Sequence, residues 1–151
     1  MKHTKIPIRY LPFALSRKDK KKQIKMLNKS KKMYKQKKYY TRKKVASYPH
    51  KTSKHILKAR RIYKIDSIRP SPELARKTGC SIGALQQIVR KGEGAYYSSG
   101  SRPNQNAQSW GLARLASSVT GGNSSFVDFS ILENGCHHKK TAYKLAKGKG
   151  R

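Results

Sequence analysis

The chain has 151 residues, enough for one domain with added segments, and its 37 lysines and arginines oppose six acids for a net charge of +31. The apolar fraction is 35%, so we expect only a modest core. No apolar stretch reaches the length of a membrane span or of a signal peptide, so we expect no membrane span and a reducing, aqueous compartment. The charge indicates a polyanionic partner.

The positive charge is concentrated at the two ends of the sequence. Residues 1–64 hold 24 bases and one acid, residues 65–138 hold seven bases and five acids, and residues 139–151 hold six bases and no acid. We therefore expect a basic arm over 1–64, a near-neutral helical core over 65–138 and a basic tail over 139–151. Since no segment alternates convincingly as a strand, the predicted fold class is mostly α, with a small helical core and extended basic N- and C-terminal arms.

Two lysine-rich helices are predicted in the N-terminal arm, after an extended, proline-containing start. Ser16 with Asp19 three residues later is typical of a helix start and predicts a helix over about 17–35. Its apolar stripe should comprise Ile24, Leu27 and Tyr34, with Met26 and Met33 beside it. A second basic helix is expected over about 53–63.

The central part carries clear signals for two successive helices. Ser71 followed by Pro72 favours a helix start, and Gly79 should end that helix. Ser81 opens the next helix, which we expect to stop at Gly92.

The remaining elements are predicted from turn residues and apolar spacing. An irregular connection over 92–108 should precede a helix over about 109–120 and a short capped helix over 125–132. The tail from residue 137 onward is expected to be flexible.

The two helices around Gly79 have the spacing of a helix-turn-helix, and this segment has two interpretations. A DNA-reading second helix would present glutamine to adenine and arginine to guanine in the major groove. The residues so presented would be Ser81, Ala84, Gln87 and Arg90. An ordinary helical hairpin within the core fits the same spacing, and Gly83 and the near-neutral charge favour it.

The lysine-rich segments are predicted to bind polyanions. Charge runs are often only solvated surface, but here tyrosines are interleaved with the bases, and such rings can pack on a partner or stack on nucleotide bases while cations neutralise phosphates. The predicted polyanion-binding residues are Lys20, Lys21, Lys22, Lys31, Lys32, Lys37, Lys38, Arg42, Lys43, Lys44, Arg60, Arg61, Lys139 and Lys140.

The connection over 92–108 is the candidate docking loop, with Tyr96, Tyr97, Arg102 and Trp110 as its main residues. Its backbone donors, hydroxyls and Arg102 would suit an anion-binding nest, whereas ordering of the loop by its aromatic rings is the alternative interpretation.

Catalytic and metal-binding patterns are missing from the sequence. It contains no nucleophile elbow and no phosphate-binding loop, and its acids are scattered. Two cysteines are too few for a disulfide framework, so Cys80 and Cys136 should be reduced and buried. Cys136, His137 and His138 lack the spaced ligand pairs of a zinc site. We therefore expect no enzyme, no catalytic residue, no cofactor, no metal and no small-molecule substrate.

Several motifs resemble a family of short, lysine-rich proteins encoded by large DNA viruses of eukaryotes, of the chlorovirus kind. They are YYTR at residues 39–42, GAYYSSGSRPNQ at 94–105, SW at 109–110 and ARLAS at 113–117. The resemblance covers about residues 10–136. It implies a viral context, with a role inside the particle, and supplies no catalytic residues.

The leading hypothesis is a viral structural protein: a minor capsid or internal virion component whose basic arms bind acidic capsid surfaces, genomic DNA or both. It would be located in the virion, and in the host cytoplasm or nucleus during assembly. The alternative is a DNA-binding protein, either a non-specific condenser or a helix-turn-helix regulator. A ribosome-associated protein would carry similar basic tails.

Overall fold

The computed structural model describes residues 6–49 and 51–148. In that part of the chain a 3-10 helix, Ile8–Tyr10, precedes eight α-helices. These are α1 (Arg17–Lys35), α2 (Lys54–Tyr63), α3 (Pro72–Thr78), α4 (Ile82–Ser98), α5 (Ala107–Val119), α6 (Asn123–Val127), α7 (Phe129–Gly135) and α8 (Thr141–Lys147). The only extended pairing among the described residues is an isolated bridge between Cys80 and Cys136. The predicted mostly α class with a helical core is confirmed.

The chain divides into two compact units. The first comprises residues 1–51 and 94–107, and the second comprises residues 52–93 and 108–151. The first unit contains 20 bases and one acid, a net charge of +19, and the second contains 17 bases and five acids, a net charge of +12. The boundaries between the units do not coincide with the boundaries of the charged segments at residues 64 and 138. The first unit ends at residue 51, and the near-neutral segment 94–107 folds with it.

Helix α1 has the predicted bounds, since the Ser16 side chain accepts a hydrogen bond from the Asp19 backbone N–H at 3.1 Å. Its buried side is rotated from the predicted stripe, however, and Tyr34 is exposed. The buried residues are Gln23, Met26, Leu27 and Ser30. The buried side includes polar residues because they bond to neighbouring backbone: the Gln23 amide donates to the carbonyls of Tyr10 and Ser101.

Helix α3 also has the predicted bounds, with Ser71 as N-cap and Gly79 in the left-handed conformation at its end. The predicted end of α4 at Gly92 is wrong, because that helix continues to Ser98. Gly92 allows a close helix crossing instead: a Cβ there would lie 2.6 Å from the Cα of Gly111 on α5. The irregular connection predicted over 92–108 is therefore limited to residues 99–106.

The end of the second unit is more ordered than predicted. Two short helices, α6 and α7, replace the single helix expected over 125–132. Within the tail expected to be flexible, Thr141–Lys147 form α8, which buries Ala142, Tyr143 and Ala146, and residues 149–151 lie outside the described part of the chain. These apolar residues at positions i, i+1 and i+4 share one side of a helix, so the core of the second unit can fix them.

Core packing in the second unit joins distant parts of the sequence. The Tyr63 hydroxyl at the end of α2 donates to the carbonyl of Val119, and burial raises the pKa of Tyr63. Cys80 and Cys136 form a disulfide, so the prediction of reduced thiols is wrong. Backbone hydrogen bonds of 2.8 Å flank the bridge, from Ser81 N to Gly135 O and from His137 N to Gly79 O.

None of the described helices combines the length and apolar character needed to cross a bilayer.

Candidate polyanion-binding surface

The outer face of α1 is lined by exposed lysines in the first unit. They recur three or four residues apart, which places them along the side of the helix opposite the buried stripe of Gln23, Met26, Leu27 and Ser30. We define the lysine face as Lys18, Lys21, Lys22, Lys25, Lys29, Lys32 and Lys35. Four of these, Lys18, Lys25, Lys29 and Lys35, were not among the predicted residues, although their spacing from Lys21 and Lys32 was a usable signal.

Within the described part of the chain, no carboxylate forms an ion pair with this face. Both ion pairs found among the described residues use Asp128 in the second unit, and Asp19 is the one acid in the first unit's sequence. The Asp19 carboxylate accepts hydrogen bonds from the Ser47 hydroxyl at 2.6 Å and the Ser47 backbone N–H at 2.9 Å. These bonds are the main cause of the lowered pKa of Asp19, to which the charge of Lys22 also contributes.

Uncompensated lysines three and four residues apart repel one another, at a cost of about 0.2–0.5 kcal/mol for each pair. Two of them make local contacts: Lys22 Nζ donates to the Lys44 carbonyl at 3.2 Å, and Lys29 Nζ lies 4.5 Å from the centre of the Tyr40 ring. Neither contact supplies a negative charge. A polyanion placed along the face would remove the repulsion.

Arg42 is buried rather than available to a polyanion, so its predicted role is corrected. Only 6% of its surface is exposed, and its guanidinium lies 3.8 Å from the Tyr96 ring centre. It donates to the Ser30 hydroxyl and the Tyr96 carbonyl at 2.9 Å, and to the Ser101 hydroxyl at 2.8 Å. Burial lowers the pKa of Arg42 and raises that of Tyr96. Nothing in the local sequence distinguishes this base from its exposed neighbours.

The candidate docking loop therefore has a mainly internal role in the first unit. Tyr96 is buried at the end of α4, and its hydroxyl accepts from the Arg42 backbone N–H at 2.9 Å. The Asn104 side chain accepts from Val45 N at 2.7 Å and donates to the carbonyls of Val45 and Tyr48 at 3.2 and 2.7 Å. Of the other predicted docking residues, Arg102 is exposed, and Tyr97 and Trp110 are partly buried.

The segment held by this loop presents further cations. Lys43 and Lys44 are exposed between the buried anchor residues Arg42 and Val45. Lys37 and Lys38 are exposed directly after α1, and Lys20 is exposed on the helix, whereas Lys31 is partly buried. Together with the lysine face, these residues give the first unit its candidate site.

The predicted bases of the second unit are exposed but lie on separate elements. Arg60 and Arg61 occupy the last turn of α2, where a cation suits the helix dipole. Lys139 and Lys140 precede α8, and the stem of Lys140 packs on Gly79, since a Cβ at Gly79 would lie 2.5 Å from the Lys140 Cγ.

Not all of the predicted DNA-reading residues are exposed where DNA could contact them. Ala84 is buried, and a Cβ on Gly135 would lie 2.5 Å from the Ala84 Cβ, so this position packs against the end of α7. The Ser81 hydroxyl accepts from the Ala84 backbone N–H at 3.1 Å, in the manner of a helix cap. Gln87 and Arg90 are exposed. The assignment of Ala84 to a reading face is therefore wrong, and the hairpin interpretation accounts for its burial.

A buried charge cluster in the second unit was not predicted. Asp128 is fully buried, and Arg114 donates to its two carboxylate oxygens at 3.0 and 2.6 Å. Ser118 donates a further hydrogen bond at 2.8 Å. These three hydrogen bonds to the carboxylate join α5 to the α6–α7 junction. Arg114 and Asp128 lie 14 residues apart, and no local motif signals their pairing.

Comparisons with known proteins add one relationship. Neither the curated proteins nor the solved structures gave a match to this chain. One family model does match, over residues 7–129, which includes the lysine face, Arg42 and the 94–107 segment and ends before Cys136 and α8. Since that match spans more than half of the sequence, the chain belongs to a family of unknown function, DUF5824.

Proposed function

We propose that this protein binds polyanions through the lysine face of α1, and that it serves as a structural component of a virus particle. In that role it would be a minor capsid or internal virion protein that contacts packaged nucleic acid, acidic capsid surfaces or both. The observation that carries the binding proposal is the lysine face itself: seven exposed cations on one helix side, none of which forms an ion pair with a carboxylate of the described residues. The viral setting rests on the sequence resemblance over residues 10–136.

The folded first unit adds to the proposal because it orients the charge. One side of α1 is fixed by Gln23, Ser30 and the apolar residues between them, so the lysines project to the opposite side. A surface ordered before binding loses less conformational entropy than a disordered tail with the same charge. The 42–48 segment, fixed by Asn104 and Asp19, adds Lys43 and Lys44.

Salt dependence gives the expected magnitude. If the seven lysines of the face, together with Lys43 and Lys44, each neutralise one duplex phosphate, the logarithm of the binding constant should fall with the logarithm of salt concentration with a slope of about −8. Between 50 and 200 mM salt the affinity should then drop by about 10³-fold or more.

The test is fluorescence anisotropy with a labelled 30-base-pair duplex over this salt range. Replacing Lys18, Lys21, Lys25 and Lys32 by glutamine should make the slope shallower by about 3 to 4. The matched control removes four exposed bases of the second unit, Lys54, Arg69, Arg76 and Lys144, and should change the slope by less than about 1. Equal changes in both variants would show that total charge, and not the α1 face, sets the affinity.

The virion assignment needs a separate measurement. Purified particles should contain the protein in a fixed ratio to the major shell protein after washing in high salt. Recovery only from unassembled extracts would overturn this part of the proposal while leaving polyanion binding intact.

Sequence-specific recognition of DNA is less well supported. Ala84, one of the four predicted reading residues, is buried, and the exposed Ser81 is engaged as a helix cap. We therefore expect target and random duplexes to bind alike, as for a non-specific condenser, rather than with the 10³-fold or greater ratio, roughly, of a regulator.

A further inference from the structure

We infer that three tyrosines of the first unit, Tyr34, Tyr39 and Tyr97, form a stacking platform for unpaired nucleotide bases, so that the preferred polyanion is single-stranded nucleic acid. This inference rests on the proposed polyanion binding and names its partner class. The platform is defined by the ring contacts of these three residues and by the lysines next to them in sequence.

The three rings form a continuous series. The ring centres of Tyr34 and Tyr39 are 6.2 Å apart, and those of Tyr39 and Tyr97 are 5.0 Å apart. Tyr97 is anchored: its carbonyl accepts a hydrogen bond from the Ser30 hydroxyl at 3.2 Å, and its ring meets the buried Tyr96 ring edge-on at 5.1 Å. The other end is open, since Tyr39 is 69% exposed and Tyr34 is 38% exposed.

The end of α1 builds this arrangement. Lys37 has a φ of 61°, a left-handed conformation that side chains with a Cβ disfavour, and its backbone N–H bonds to the Tyr34 carbonyl at 2.9 Å. The Lys38 N–H bonds to the Met33 carbonyl at 2.9 Å, which completes a reversal of the chain. This turn returns Tyr39 to the side of Tyr34 and leaves Lys37 and Lys38 exposed beside it.

Both parts of a nucleotide are matched by this surface. Lysine ammonium groups neutralise phosphates, and an exposed tyrosine ring offers a flat face to a base. A duplex keeps its base faces stacked internally, so only the phosphate contacts remain available to it. An acidic protein surface would likewise use the lysines and leave the rings without planar partners. The combination therefore favours single strands over both alternatives.

The experiment compares a labelled 25-nucleotide single strand with its duplex, and with poly-glutamate as competitor, at one salt concentration. Tyr39→Ala should weaken single-strand binding by about 5- to 100-fold, the range for loss of one base–aromatic stack, and change duplex binding by less than about twofold. Tyr39→Phe keeps the ring and should bind like the wild type. Phe13→Ala removes an aromatic side chain of the same unit that is 90% exposed and should change neither affinity.

Each outcome decides the inference. The platform is supported if Tyr39→Ala selectively loses single-strand binding while Tyr39→Phe binds the single strand as the wild type does. Unchanged single-strand binding, or equal loss for strand and duplex, overturns it while the lysine-face proposal stands. Stronger competition by poly-glutamate than by unlabelled single strand overturns the nucleotide assignment. Absence of wild-type binding to both the single strand and the duplex would instead refute the proposed function itself. If Tyr39→Ala has a lowered melting temperature, Tyr39→Leu replaces it in the assay. This variant keeps the apolar bulk but has no aromatic face, so it should lose single-strand binding as expected for Tyr39→Ala.

Discussion

Replacing Arg42 by methionine would keep most of the side-chain volume and remove three hydrogen bonds from the interior of the first unit. The Ser30 and Ser101 hydroxyls would keep bonds to the carbonyls of Tyr97 and Arg102. The Tyr96 carbonyl would lose the Arg42 donor that bonds it at 2.9 Å. One buried acceptor left without its donor costs about 1–3 kcal/mol, and the lost contact with the Tyr96 ring adds about 1–2 kcal/mol.

The gain from no longer burying a charge offsets part of this loss, so we expect a net destabilisation of about 1–3 kcal/mol. Urea unfolding followed by circular dichroism measures it, with Lys43→Gln as the control, because Lys43 is the exposed neighbour. The same pair of variants should behave oppositely in the duplex assay: Lys43→Gln should reduce the salt slope by about 1, and Arg42→Met should not. A variant Arg42→Met as stable as the wild type, with a reduced salt slope, would refute the assignment of Arg42 to the interior framework.

Three further outcomes follow from the described contacts. Arg114→Met should cost about 3–5 kcal/mol, because it leaves the buried Asp128 carboxylate without its main partner, and adding Asp128→Asn should recover part of that loss in the same urea assay. Asp19 has a lowered pKa, so its stabilising effect is present above the unfolded pKa of about 4 and is lost as the pH falls through the folded pKa. The melting temperatures of wild type and Asp19→Asn should therefore differ at neutral pH and converge in acid; a constant difference would contradict this. Reduction of the Cys80–Cys136 bridge, which spans 56 residues, should lower stability by up to about 4 kcal/mol, measured as the urea midpoint with and without dithiothreitol.

Helix starts and stops that depend on neighbouring residues were predictable from the sequence. Ser16 and Asp19 mark the start of α1, Ser71 and Pro72 mark the start of α3, and Gly79 marks its end. Each signal acts on the helical turn next to it, and both helices have the expected bounds. Gly92 was misinterpreted as a helix end because the contact that requires a glycine there is distant in sequence. It allows α4 to approach Gly111 on α5, nineteen residues later in the chain. A glycine that ends a helix and a glycine that allows a helix crossing look alike in sequence.

The candidate site was predictable in its charge but not in its geometry. The lysine run indicated a basic helix, yet which bases face outward depends on α1 packing against residues near 42 and 101. Arg42 shows the limit most clearly, because it lies in the same basic run as Lys43 and Lys44 and is nevertheless buried. The burial of α8 had a usable signal in the spacing of Ala142, Tyr143 and Ala146.

The disulfide has a topological consequence for a chain held under tension. It closes a ring from residue 80 to residue 136, and this ring contains the 94–107 segment that folds with the N-terminal residues. Pulling on the two termini can detach residues 1–51 from that segment without breaking a covalent bond, but it cannot extend the ring itself. The fully stretched oxidised chain should be roughly 190 Å shorter than the reduced one, given about 3.4 Å per extended residue. Optical-tweezer traces recorded with and without reductant would measure that difference directly.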